Sequence, residues 1–96
     1  LNDLFQQYPH HCICADIESP QPQADNQLQR LQRRRFYLDR GFADTGYGNL
    51  WYGVRYDILA AQRPFSLHAY QGAVDLLQTP RFPAKIFKRE EGVEDE

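Results

Sequence analysis

The chain has 96 residues, a formal charge of −2, 42% apolar and 25% charged side chains. That size bounds it to one small domain, and the apolar share excludes wholesale disorder. No apolar run reaches the roughly 18–20 residues of a membrane helix, and the net negative charge argues against nucleic acid as a partner.

Residues 2–8 read as a helix, with Leu4, Phe5 and Tyr8 at helical spacing and Pro9 ending it. The apolar run from His11 to Ile17 has strand length, about 11–17, and looks like an interior strand. Cys12 and Cys14 lie on one face of it. They are read as free, buried thiols of a reducing compartment, which places the protein in the cytoplasm. A metal site built on His10, Cys12 and Cys14 lacks a fourth ligand and the usual spacing, so no metal is expected. Leu1 to Phe5 has neither the basic flank nor the apolar core of a signal peptide. The chain starts at Leu1 and contains no Met, which suggests a fragment or a processed product.

Pro20 and Pro22 end the strand, and a polar helix follows over about 25–40. Asp25 is placed as its N-cap and Gly41 as the positive-φ residue after its end. Arg33, Arg34, Arg35 and Arg40 suit the negative end of the helix dipole. Leu28, Leu31 and Leu38, helped by Phe36, form a thin apolar stripe, so part of this helix should face a partner or ligand.

A hairpin spans about 42–60, with its turn assigned to Gly48-Asn49 and Gly53 allowing a longer loop or a bulge. In its second arm Val54, Tyr56 and Ile58 alternate with Arg55 and Asp57. A second helix runs over 66–78, with Ser66 as N-cap and Phe65 stapled to Tyr70. Residues 84–88 have the pattern of a short edge strand, and 90–96 read as an acidic, disordered tail. Phe36, Leu38, Phe42, Trp51, Tyr56, Ile58, Val74 and Leu77 are the expected core.

The stretch Arg34-Arg35-Phe36-Tyr37-Leu38-Asp39-Arg40-Gly41-Phe42 resembles a signature of the GNAT family of N-acetyltransferases, where a helix ends in aromatic-Tyr-x-x-x-Gly-Phe. The agreement extends upstream to Ala15-Asp16-Ile17-Glu18 and its Pro-containing loop. Downstream it reaches Gly53 to Leu59, and in all it covers roughly residues 1–78. The resemblance implies the C-terminal part of one GNAT-like domain over 1–89. It predicts an α+β fold with a partial, mixed sheet in strand-helix-strand-strand order plus an appended C-terminal helix. The first strand and first hairpin arm should run parallel, with the second arm inserted antiparallel between them.

The activity implied is acetyl-CoA-dependent transfer of an acetyl group to an amine. Tyr37 then matches the general acid that protonates the departing CoA thiolate. Glu18, at the end of the first strand, is the candidate base. Asn26, Arg30 and Arg33 are the candidate contacts for acetyl-CoA; the family's Asn, seven residues before the Tyr, is replaced here by Arg30. The family's pyrophosphate cradle, Gln/Arg-x-x-Gly-x-Gly/Ala at a helix start, has no counterpart, because Gly46-Tyr47-Gly48 lies in the hairpin. The 96 residues alone are therefore expected to be inactive. The contrasting expectation is a non-catalytic module whose unpaired sheet edge takes a second copy or the missing N-terminal half.

Overall fold

A computed structural model describes residues 2–77 and 85–89. In chain order the elements are α1 (Asn2–Gln7), β1 (Ile13–Glu18), α2 (Gln27–Asp39), β2 (Ala43–Trp51), β3 (Val54–Ala61), α3 (Leu67–Leu77) and β4 (Lys85–Lys88). The four strands form one sheet in the order β1-β3-β2-β4. β3 lies between β1 and β2 and is antiparallel to both, so β1 and β2 share a direction, as expected. The sheet is not mixed, however. β4 is also antiparallel to its neighbour β2, so every paired ladder is antiparallel. Inserting β3 converts what would have been a parallel pair into two antiparallel ones.

The hairpin turns four residues later than the glycine pattern suggested. Trp51 pairs with Val54, leaving Tyr52 and Gly53 as the turn, both with positive φ (53° and 76°). That is the type I′ geometry that matches strand twist. Gly48 and Asn49 are instead buried inside β2. A Cβ on Gly48 would come within 2.6 Å of the Phe87 ring and 3.1 Å of the Tyr56 carbonyl oxygen, so this glycine makes room for β4. Between Asp44 and Gly48 the β2–β3 register shifts at a bulge containing Gly46 (φ 82°). Side chains secure it: Gly46 N–H donates to Asp44 Oδ1 (2.9 Å), and Thr45 Oγ1 donates to the Ile58 carbonyl (2.7 Å).

The core cluster lies on one face of the sheet. Ile17, Leu59, Ala61 and Phe42 are buried there, with Phe5, Ile13, Ala15 and Tyr37 packed against them. Ile58 and Ala60, which alternate with Leu59 and Ala61 and so point to the opposite face, are also buried. Phe42 and Ile58 therefore fulfil their expected roles, and Tyr56 and Val74 are half-buried. Phe36, Leu38 and Trp51 are exposed instead. Trp51 stands at the hairpin tip, edge-on to Tyr52 at 4.3 Å between ring centroids. The Leu77 side chain and the acidic 90–96 segment lie outside the described residues.

The end of α2 explains the Tyr-x-x-x-Gly-Phe spacing in structural terms. Gly41 has φ 94°; its N–H reaches the Leu38 carbonyl (3.3 Å), and Phe42 N–H reaches the Tyr37 carbonyl (3.1 Å). This is a Schellman cap, complete with its hydrophobic contact, since the Tyr37 and Phe42 rings meet edge-on at 5.1 Å. Arg40 Nη1 also donates to the Phe36 carbonyl (3.0 Å), adding a cation where carbonyls are unpaired. At the other end, Asn26 rather than Asp25 holds the N-cap position, and it makes no side-chain capping bond. The start of α3 follows expectation. Ser66 Oγ accepts from Ala69 N–H (3.2 Å), and Phe65 lies 5.7 Å from Tyr70.

Candidate functional site

The sheet meets α2 through polar side chains. Asn26, Arg30, Arg34 and Tyr37, spaced four, four and three apart, form one helical face. Leu28, Leu31, Phe36 and Leu38 stay exposed. The reason lies in the strands, which present Glu18, Asp44 and Asp57 toward the helix. Carboxylates removed from water need charged or hydrogen-bonding partners, and this outweighs the burial of a few leucines.

Glu18, Asn26, Arg30 and Arg33 come together at the junction of β1 and α2. Glu18 Oε2 lies 3.1 Å from Arg30 Nη2, and Glu18 Oε1 lies 3.5 Å from Arg33 Nη1. Asn26 Nδ2 donates to Glu18 Oε1 (3.2 Å), and Asn26 Oδ1 accepts from Arg30 Nε (2.8 Å). Arg30 Nη1 donates to the Ser19 carbonyl (3.0 Å). The Asn26 amide is thus committed to tertiary bonds, which is why it does not cap the helix. Arg30 has an acceptor at each guanidinium nitrogen and a side chain 13% exposed, so an anionic ligand would have to compete with Glu18. Arg33, at 52%, is the open cation of the group.

A second ionic centre adjoins it. Asp57, 3% exposed, accepts from Ser19 Oγ (2.6 Å), Arg34 Nη1 (2.9 Å) and Arg89 Nη1 (2.9 Å). Arg34 also binds Asp44 Oδ2 (2.6 Å), and Arg89 pairs with Asp44 as well. Two carboxylates and two guanidiniums therefore join β2, β3, α2 and the residue after β4. Tyr37 stands apart from both clusters. It is half-buried, edge-on to Phe36 (5.3 Å) and Phe42.

The opposite face of the sheet carries a feature that the sequence reading did not assemble. A cavity of about 480 Å³ opens between β1 and α3, lined by Cys12, Cys14, Asp16, Ser66, Ala69, Tyr70, Ala73 and Val74. Cys12 and Cys14 share this face, with sulfurs 3.9 Å apart. They are less enclosed than expected, Cys12 being half-buried and Cys14 open to solvent. The Cys14 thiol is nevertheless pushed up from 9.0 to about 12, first by desolvation, then by Cys12 and Asp16. The Tyr70 hydroxyl donates to Asp16 Oδ2, which also accepts from Asn49 Nδ2 (3.2 Å). Burial, then the Asp16 carboxylate, raises the Tyr70 phenol well above its ordinary value. Asn49 is 7% exposed, and its Oδ1 is buried with no hydrogen-bond partner among the described residues. The signal in the sequence was the period-two run Cys12, Cys14, Asp16; its partner Tyr70 comes from 54 residues away and was visible only as a staple residue.

Among the described residues, no group of three or more His, Cys, Asp or Glu side chains could hold a metal ion, and no helix is long and apolar enough to cross a membrane. Comparison of the chain with protein-family models, with curated proteins and with solved structures gives no match.

Proposed function

We propose that this chain forms one wall of an acetyl-CoA-dependent N-acyltransferase of GNAT type, which moves an acetyl group to an amine. The observation that carries the reading is the strand order β1-β3-β2, with α2 joining two strands of like direction. That is the arrangement the resemblance implies for this segment, and it comes with the Phe36-Tyr37-x-x-x-Gly41-Phe42 helix end. In this reading the Tyr37 hydroxyl protonates the CoA thiolate as it leaves. The ring's anchoring on Phe42 would hold that hydroxyl in place. Arg33 supplies an exposed cation for the cofactor's phosphates. Glu18, held by Asn26, Arg30 and Arg33, orients these groups rather than abstracting a proton. The pyrophosphate cradle and the amine pocket then belong to a segment that packs beside β1, whose outer edge has no strand partner among the described residues.

The test is calorimetric titration of the protein from its complete coding frame with acetyl-CoA, followed by an assay for released CoA thiol. Tyr37→Phe keeps the ring packing and should lower kcat by about 10–100-fold, with acetyl-CoA affinity unchanged. A complete protein that binds no CoA species refutes the reading.

A second reading, a non-catalytic interaction module, draws on the exposed α2 stripe, where Leu28 is 68% and Leu31 45% exposed. Together with the open β1 edge it offers an association surface. A chain that sediments as a compact monomer at high concentration removes that reading.

A further inference from the structure

We propose that Cys12 and Cys14 act together as a chelating dithiol for a monosubstituted trivalent arsenical, whose organic group enters the cavity between β1 and α3. The strand builds the pair. Residues two apart share a face, and the two sulfurs lie 3.9 Å from each other at the cavity wall. That gap is too wide for a disulfide, which needs about 2.0 Å. It is less than twice a bond of zinc–thiolate length, about 2.3 Å, so one bridging atom can join both sulfurs. Cys14 is open to solvent and Cys12 is half-buried, which gives the bridging atom a way in.

The surroundings select the bridging centre. Among the described residues no group of three His, Cys, Asp or Glu side chains could hold a metal ion, so an ion that needs four protein ligands is not held. Two thiolates on a monovalent soft ion would carry a net negative charge, and Asp16 follows on the same strand face. A trivalent arsenical avoids both difficulties. It takes only two sulfurs from the protein, and its adduct is uncharged. In the condensation an arsonous acid loses its two hydroxyls. Two As–O bonds break, two As–S bonds form, and each hydroxyl leaves as water with one thiol proton. No oxidant is consumed. The Cys14 thiol stays protonated at neutral pH, so its proton is there to leave. The third substituent on arsenic has about 480 Å³ beside Ala69, Ala73 and Val74, which are small and apolar.

The inference does not depend on the acyltransferase reading, and its test uses no acetyl-CoA. The reduced full chain is titrated with phenylarsonous acid and, separately, with methylarsonous acid, and followed by intact mass and by counting free thiols. One equivalent of the phenyl compound should consume both thiols in a single adduct, and an added small dithiol should restore them. Cys12→Ser and Cys14→Ser should each bind about 100-fold or more weakly, because the second bond is intramolecular. The phenyl compound should bind about tenfold or more tightly than the methyl one. Ala73→Leu, which fills the cavity, should erase that difference while both thiols still react. The phenyl-to-methyl comparison on the wild-type chain decides the cavity's part if the Ala73 variant does not fold. An adduct that leaves one thiol free, single-cysteine variants that bind as well as the wild type, or equal affinity for the two compounds overturns the proposal.

Discussion

Replacing Asp57 by Asn tests whether the ionic centre at the α2–β3 junction holds the fold together. The carboxylate is 3% exposed and takes three hydrogen bonds, two from guanidiniums. Breaking a fully buried ion pair from one side costs about 3–5 kcal/mol. Two features reduce that figure here. Arg34 and Arg89 keep Asp44 as a partner, and their side chains are 24% and 16% exposed. The expected loss is therefore about 2–3 kcal/mol, against a total stability of about 5–14 kcal/mol for a chain of this length. Urea denaturation followed by circular dichroism and Trp51 fluorescence reads it directly. With a slope of about 1.5 kcal/mol/M, the midpoint should fall by about 1–2 M at unchanged slope. A cycle with Arg34→Gln should give a coupling of about 1–2 kcal/mol. The loss should persist in high salt, because a buried pair is weakly screened. A midpoint shift that vanishes in high salt, or a loss below about 0.5 kcal/mol, refutes the reasoning.

Gly41→Ala should destabilise by about 1–2 kcal/mol, because its φ of 94° is strained for an L side chain, and Gly41→Asn should cost less; thermal melts compare them. Leu59→Ala, at a fully buried position, should cost about 2–5 kcal/mol in the same melts. A pKa raised in the native state implies stability that is full below the unfolded value and lost as pH rises through the native one. The Cys14 contribution should thus decline between pH 9.0 and about 12, and Cys14→Ala should flatten the stability profile over that window. Alkylation of Cys14 at neutral pH should be slow in the native chain and accelerate in urea, as peptide mapping would show. The Tyr70 phenol is likewise raised above 10.0, so ultraviolet titration should find one late-ionising tyrosine that Tyr70→Phe removes.

Local chemistry was legible in the residues themselves. Pro9 ends α1, Gly41 closes α2, Ser66 and Phe65 open α3, and the alternation in 54–58 marks β3, because each signal acts within a few residues of chain. The placement of β3 between β1 and β2 was legible only through the family resemblance, and the antiparallel character of the whole sheet followed from pairing rather than from pattern. Gathering Glu18, Asn26, Arg30 and Arg33 was half legible: the residue types stood out, but not their mutual neutralisation. The side of α2 that faces the sheet was decided by the carboxylates of β1, β2 and β3, which only strand pairing brings against it and which need cations more than the leucines need burial. That Gly48 belongs inside a strand was decided by β4, whose Phe87 occupies the space that this glycine leaves open. The Asp16–Tyr70 cavity is likewise a product of tertiary structure alone, since a strand and a helix 54 residues apart must meet before either residue has a partner.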